Sequence, residues 1–467
     1  MTVSTFKRGL RVPTRKTATE GKAVELVPPP KQVVIPINQH FGAPNQSLVK
    51  VGDPVKRGQR IADAVSPGPM TVPVHASISG VVKKIEPRTQ SNNSEGLCIV
   101  IETDNPIYED SDSEFMPPLD PFTCTKEDAL KRIRDAGMTG MGGAGFPSHI
   151  KLSPPPNKSI DVIIANGAEC EPYLTTDEAA MHEKPHLLIR GLTAIMKITG
   201  VKKAVIGMED NKAPIIPMLE REIRLAQDEY FKGFGEIRIG LCRTLYPQGG
   251  EKMLITALTG REVPSGGLPM DAGCIVQNVG TLVAIAEAFT LGKPLIDREL
   301  TVSGGACNTP KNIRAPIGTL LSDLPKEFMD IDYRKLRKIL FGGPMMGFAV
   351  PTVAIPIQKN TSGIILMTAE ETYTDPEGAC IHCARCIRNC PCRLSPAIMN
   401  HCLEAGELDE AIKAGLMDCI ECGSCTFMCP ARIKLVQRFR LGKGRLRARQ
   451  QAAQQAQAAK QAAPAKS

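Results

Sequence analysis

The chain contains no tryptophan, and aromatic residues make up only 4% of its 467 residues. A core built on large rings is thereby excluded, and aliphatic side chains must fill it. No stretch approaches the roughly 20 consecutive apolar residues that a spanning helix needs. The N-terminal MTVSTFKRGLRVPTRK is basic but lacks an apolar run, so it does not read as a secretory signal. Acidic residues are missing from 431–467, where ten Lys or Arg occur. Setting these aside from the 57 basic residues leaves 47 against 49 acidic ones, a net of −2. The positive charge therefore belongs to a tail, which suits a solvated arm or an anionic membrane surface better than a nucleic-acid-binding face.

Sixteen cysteines are present. In a chain made and kept in the cytosol they stay reduced, which favours metal ligation over disulfides. Eight of them form two runs. Cys380, Cys383, Cys386 and Cys390 precede Pro391; Cys419, Cys422, Cys425 and Cys429 precede Pro430. Both read C-x2-C-x2-C-x3-C-P, the run of bacterial two-cluster ferredoxins. Three cysteines two residues apart wrap one face of a cubane, and the fourth, turned away by proline, reaches the other cluster. One [4Fe–4S] cluster is therefore expected on Cys380, Cys383, Cys386 and Cys429, the other on Cys419, Cys422, Cys425 and Cys390. Zinc is the alternative, but it prefers paired C-x2-C knuckles and has no use for a third cysteine in each run. Cys392 and Cys402, and the cysteines at 98, 124, 170, 242, 274 and 307, read as small buried residues. His382 reads as a cluster-lining residue without the spacing of a ligand.

The rest of the chain divides by pattern. Residues 1–28 read as a basic, extended arm. Residues 29–105 show short strands and many turns, and a polar, Pro-containing stretch around 104–121 reads as a linker. Over 122–295 strands alternate with helices, including helices at 127–137 and 186–200 and strands at 159–166, 202–208 and 236–242; this predicts a mostly parallel, doubly covered sheet. Residues 296–367 return to β character, residues 370–441 hold the cysteines between short helices, and 442–467 are low-complexity Ala/Gln/Lys, expected as disorder or a solitary helix.

Two loops in the α/β segment suggest ligand binding. GMTGMGGAGFP (137–147) contains Gly140, Gly142 and Gly145 as G-x-G-x-x-G. A helix precedes it where a dinucleotide fingerprint needs a strand. What remains is backbone able to approach a ring or phosphate closely, or a mobile loop. NGAECEPYLTTDE follows strand 159–166, at the strand end where such sheets bind ligands. Asn166, Glu169 and Glu171 could bond polar ring edges or ribose hydroxyls there, or be solvated carboxylates. Tyr246, Gly249, Gly250 and Glu251 lie at a helix start after the third strand, and Gln277 and Asn278 are expected in a further loop.

GMGGAGFPSHIK, NGAECEP, YPQGGEKMLITALTG and GCIVQNVGTL resemble, in order, the flavin-binding loops of the NADH-oxidising flavoprotein subunit of respiratory complex I. Over roughly 30–440 the chain resembles the RnfC family, a component of Rnf ion-translocating electron transport complexes. The resemblance implies a multidomain α/β protein: an N-terminal lipoyl-like barrel-sandwich, a central FMN- and NADH-binding domain, a β-grasp module at 296–367 and an α-helical two-cluster ferredoxin-like domain. SPGPMTVP replaces the lysine hairpin of true carrier domains, so no covalent lipoyl or biotin is expected. By position, Gly140, Gly142, Gly143, Lys151, Asn166, Glu169, Tyr246, Gly249, Glu251 and Asn278 would line FMN. Phe146 would stack on the NADH adenine and Glu171 would hold a ribose. Against the complex I patterns N-A-D-E-S-E-P and G-E-E-T, an aspartate and a glutamate are replaced at Ala168 and Gly250.

The expected function is electron transfer from NADH through FMN to two clusters and on to integral-membrane and iron–sulfur subunits of one complex, at the cytoplasmic face of the inner membrane. Ferredoxin is the donor if the direction reverses. A flavin-free iron–sulfur relay is the second reading. An iron–sulfur nucleic-acid protein is the third, opposed by the slightly acidic folded part.

Overall fold

Sequence periodicity sets the local elements, and four packed regions follow from it. The computed structural model describes residues 2–65, 68, 70–108, 113–372 and 375–462. Parts of the SPGPMTVP segment, of the expected linker and of the terminal tail lie outside these.

After β1 (Val24–Leu26), which joins a later sheet, the first region contains β2 (Gln32–Pro36), β3 (Gln46–Ser47), β4 (Pro54–Val55), β5 (Arg60–Asp63), β6 (Val74–His75), β7 (Gly80–Thr89) and β8 (Glu95–Glu102). Two sheets, β2-β8-β7-β4 and β3-β5-β6, enclose Val33, Ile35, Ile61, Val82, Ile99 and Ile101. The unbroken apolar run Cys98–Ile101 is explained by burial of both faces. Ile99 and Ile101 point inward, while Cys98 and Val100 pack on Val34 and on Leu320 of a later region.

The central region runs α1 (Lys126–Asp135), α2 (Ser148–Lys151), β9 (Val162–Gly167), α3 (Thr176–Glu183), α4 (Pro185–Thr199), β10 (Lys203–Glu209), α5 (Ile216–Glu229), β11 (Glu236–Cys242), α6 (Glu251–Thr259), β12 (Cys274–Asn278) and α7 (Val279–Thr290). The sheet order is β11-β10-β9-β12, and every pairing is parallel. Its faces are covered separately: Ile163 and Ile206 join Leu188, Leu192 and Leu282 on one side, while Ile164 and Val205 join Leu254 and Leu258 on the other. Gln277 and Asn278, expected in a loop, instead end strand β12. The short run CIVQN sits beside β9 with both faces covered, so tertiary pairing outweighs the flanking glycines. Likewise the end of the acidic loop, TTDE, opens helix α3.

The next sheet takes β13 (Asp297–Ser303), β14 (Lys311–Pro316), β15 (Lys338–Phe341), β16 (Phe348–Val350) and β17 (Gly363–Met367). Its order is β1-β14-β13-β17-β15-β16. The edge strand β1 comes from the N-terminal segment expected as an arm and pairs parallel with β14. That segment also bridges Ser4 to Cys242 and Leu10 to Tyr246, so it straps the central region along its length.

The cysteine region holds α8 (Arg385–Arg388), α9 (Pro396–Glu404), α10 (Leu408–Lys413), α11 (Ser424–Phe427) and α12 (Leu435–Ala462). Helix α12 runs without a break from the cysteine region into the expected tail, and Phe439 and Leu446 on it are buried. Much of its positive charge meets acids of the same region: Arg438 with Glu377 and Glu404, Arg440 and Lys443 with Glu421, Arg449 with Asp409. Among the described residues, no helix is long and apolar enough to cross a membrane.

Candidate functional site

Parallel pairing places Asn166 opposite Asn278 on one side and Gly207 on the other, so three strands end at one edge. There Asn166 Nδ2 donates to the Gly249 carbonyl at 2.8 Å, and its Oδ1 accepts from Ala168 N at 3.1 Å. Asn278 caps α7 and donates to both oxygens of Asp177 at 2.9 and 2.8 Å. The glycine loop lies over this edge. It closes through Gly140 N to Phe146 O at 2.9 Å, and a Cβ at Gly142 would stand 3.1 Å from the Asn278 side chain. Gly142 and Gly143 leave their backbone exposed. On the far side Lys151 Nζ donates to Glu251 Oε1 at 2.7 Å and to Val276 O at 2.8 Å. The structure thus brings Gly140, Gly142, Gly143, Lys151, Asn166, Gly249, Glu251 and Asn278 to one edge.

Beneath that edge Gln248 has two buried side-chain atoms without a hydrogen-bond partner, and Gln277 has one. Buried polar groups are almost always paired, because each orphan costs about 1–3 kcal/mol. Gln248 and Gln277 adjoin Gly249 and Asn278 of that edge in sequence, and bared backbone there suits a ligand with a polar-edged ring, such as a flavin.

The carboxylates are committed inside the protein. Glu169 accepts from Asp177 N at 3.0 Å and Thr176 Oγ1 at 3.2 Å, and pairs at 3.7 Å with Lys16, whose ammonium also donates to the Glu169 carbonyl. Glu171 accepts from the amides of Met345 and Met346 at 3.0 and 2.9 Å, so it grips the 342–347 loop of the neighbouring sheet. Tyr246 is fully buried on that side, and its hydroxyl donates to the Cys422 carbonyl at 2.6 Å. Phe146 stacks on Phe41 of the N-terminal region, with centroids 6.1 Å apart. Lys16 and Phe41 carry no sequence signal for this site; Asp177 lies within the acidic NGAECEPYLTTDE stretch, at the start of α3.

Burial pushes the Glu171 and Glu209 carboxyls up to about 7; two amides and Lys16 oppose this at Glu171, as Lys16 and the Leu245 backbone do at Glu209. Their folded-state values thus exceed the ordinary 4.5. Between about 4.5 and 7 the native state holds protons that the unfolded chain has released, so stability falls as pH rises through that window. Glu209→Gln removes one such group. Its Tm gain over the parent chain is expected to be larger at pH 8 than at pH 5; an equal gain at both would refute the assignment.

The two cysteine runs repeat one backbone design. His382 and Ala384 in the first, and Glu421 and Gly423 in the second, occupy the same places with φ of 54°, 56°, 56° and 79°. Arg393 and Arg432, each three residues after the last cysteine of its run, both have φ 58°. Left-handed backbone at non-glycine residues is strained and is retained where the surroundings require it. The thiols group across the runs: after burial, Cys425 feels Cys419, Cys422 and Cys390, whereas Cys386 feels Cys383 and Cys429. Cys390, Cys419, Cys422 and Cys425 also line one apolar pocket. Among the described residues no three His, Cys, Asp or Glu side chains converge as a mononuclear site requires. A cubane asks for a different arrangement, one thiolate per iron, with the four sulfurs spread around the cluster. Cys392 lies beside the second group, where burial pushes its thiol up to about 12, and Cys402 is buried in the helical core.

Two family models match the chain. Residues 133–287 match the Nuo51 FMN-binding domain family, and residues 4–106 match the RnfC barrel sandwich hybrid domain family. Among curated relatives, the chain is 42% identical to the component designated C of the proton-translocating ferredoxin:NAD(+) oxidoreductase complex of Clostridium ljungdahlii, over 96% of this chain and 95% of that one. It is 39% identical to the Na(+)-translocating counterpart of Acetobacterium woodii, over 94% and 96%. Among solved structures, an NAD+-reducing [NiFe]-hydrogenase shares the fold, with a TM-score of 0.50 and 22% identity. That likeness spans 67% of this chain and 63% of the hydrogenase chain.

Proposed function

The chain belongs to the RnfC family of Rnf-type ion-translocating oxidoreductase complexes, and on that premise we propose how its own residues serve electron transfer between NAD(H) and the rest of such a complex. FMN, when bound, converts the two-electron hydride chemistry of NADH into the single electrons that iron–sulfur clusters accept. The observation that supports an FMN site most is the bared backbone of Gly142 and Gly143, with Gly142 against Asn278 at the strand ends. Gly140, Gly142, Gly143, Lys151, Asn166, Gly249, Glu251 and Asn278 would hold it. Phe146 would bound the nucleotide side, while Tyr246, Glu169 and Glu171, held by other protein groups, would support the loops from behind. Cys380, Cys383, Cys386 and Cys429 would carry one [4Fe–4S] cluster; Cys419, Cys422, Cys425 and Cys390 would carry the other.

Ion translocation then falls to integral-membrane partners, with this chain bound at the cytoplasmic face of the membrane and ferredoxin as the donor when the direction reverses. The test is a cofactor inventory of anaerobically purified chain. About eight iron and eight sulfide per chain are expected for two cubanes, together with flavin in stoichiometric amount. Stoichiometric zinc, or iron without flavin after reconstitution, would overturn the corresponding part.

A further inference from the structure

Two buried basic side chains from outside the central region hold the glycine loop. Both come from the sheet region that follows it. Arg298, on β13, is 5% exposed, and Lys359, in the turn before β17, is 1% exposed. Neither forms an ion pair among the described residues; both donate to backbone carbonyls instead. Lys359 Nζ donates to the Gly137 carbonyl at 2.7 Å, where the loop begins, and to the Pro73 carbonyl of the N-terminal region at 3.0 Å. Arg298 Nη2 donates to the Met141 carbonyl at 3.3 Å, in the middle of the loop, and its Nε donates to the Thr361 carbonyl at 2.8 Å. The turn 358–361 therefore governs both groups. It carries Lys359, orients Arg298, and closes on itself through Gln358 N to Thr361 Oγ1 at 3.0 Å. The N-terminal region completes the hold: Lys359 N donates to Gln39 Oε1 at 3.0 Å, and Phe41 N donates to the Gly145 carbonyl at 3.0 Å.

Burying a basic group without a counter-charge is costly, and an apolar side chain would fill the same space at less cost. What the two groups gain is control over where loop carbonyls point. Gly137 has φ 69°, and a Cβ there would lie 2.7 Å from the Pro73 carbonyl oxygen and 2.8 Å from Lys359 Nζ. Met141 is fixed from its other side as well, because its N–H donates to Thr281 Oγ1 at 3.0 Å. Gly142 and Gly143 follow Met141 directly and are left bare. We propose that Arg298 and Lys359 are positioning residues for the strand-end site, fixing the glycine loop in the form that presents Gly142 and Gly143 to the ligand. Burial pushes the Lys359 amine down to about 7. An uncharged amine still has two N–H groups, one for each of its two carbonyls. The segment that matches the FMN-binding family, residues 133–287, is thus completed from outside itself, because Arg298 and the turn 358–361 lie beyond it.

This role rests on the FMN reading above, and the experiment separates the two. The protein is the full chain, purified anaerobically, as parent and as Arg298→Met and Lys359→Met variants. FMN is titrated by fluorescence, and hydrogen exchange of the flavin-free chain is followed over residues 138–146, with strand β9 as internal reference. Each methionine variant is expected to bind FMN about tenfold or more weaker, the loss that follows removal of a hydrogen bond from a basic group. Exchange over 138–146 should quicken while that of β9 stays as in the parent. Arg298→Lys and Lys359→Gln each keep a donor for one carbonyl. They should recover part of both effects, and they carry the comparison with the parent if a methionine variant folds poorly. The proposal is overturned if FMN affinity or loop exchange is unchanged in the methionine variants, or if the loop loosens only in step with β9. It is overturned equally if the conservative variants are no better than the methionine ones, since packing volume and not the donated bond would then hold the loop. If the parent chain binds no FMN, the FMN reading fails, and loop exchange still decides whether these two residues hold the loop.

Discussion

Gly249→Ala is expected to strip flavin from the protein while leaving its iron in place. A Cβ at Gly249 would lie 2.0 Å from the Ala168 carbonyl oxygen and 3.3 Å from Cys170 Sγ. Neither can retreat cheaply. The Ala168 carbonyl accepts from Cys170 N at 3.0 Å, and Ala168 N is held by Asn166 Oδ1 at 3.1 Å. The added methyl must therefore push apart the loops after β9 and β11, which follow Asn166 and lead into Glu251. Overpacking of this kind costs about 1–3 kcal/mol, and the upper end applies against backbone. If about 2 kcal/mol of it falls on the bound state, flavin affinity drops about thirtyfold. The absorption spectrum after reconstitution reads the loss, and iron analysis reads the cysteine region. Gly143→Ala is the companion. Nothing lies within 4 Å of its added Cβ, so the fold should be unaffected, and any loss of flavin there reports direct approach of the ligand to that backbone. Full flavin retention in Gly249→Ala would remove this edge as the site.

Lys16→Met is expected to destabilise the central region more than any other single change in the N-terminal segment. Lys16 is 2% exposed and its partner Glu169 is 7% exposed. Removing the ammonium leaves a buried carboxylate facing Glu209 and Asp177 without its cation, and breaking such a buried pair costs about 3–5 kcal/mol. Thermal or denaturant unfolding should show the loss. Glu169→Gln in the same chain should restore much of it, because the charge then disappears with its partner. A single variant as stable as the parent, or a double variant no better than the single, would show that Lys16 only lies over the loop without holding it.

These two residues show where sequence reading stops. The cysteine runs are legible because their repeat is a matter of residues a few positions apart, and that spacing is local. The parallel sheet is legible because buried strands alternate with amphipathic helices, and both periods are written along the chain. Glu169 and Glu171 are a different matter. Their neighbours in sequence suggest ligand-facing acids, yet one is claimed by Lys16 and the other by the amides of Met345 and Met346. Asn278 reads as a loop residue because the glycines around it mask a short strand paired to β9. The tail from Ala431 reads as free charge, yet Arg438, Arg440 and Arg449 meet acids on α9, the Glu421 turn and α10.

The sequence alone determined the two repeated cysteine runs, the alternation of strands and helices, and the glycine-rich loop, because each depends on residues a few positions apart. Tertiary structure alone decided that Glu169 and Glu171 bind protein groups, that Cys422 packs beside Tyr246, and that the first residues strap the molecule instead of leaving it. Those outcomes depend on pairings across more than a hundred residues, where burial and charge select partners that local spacing does not encode.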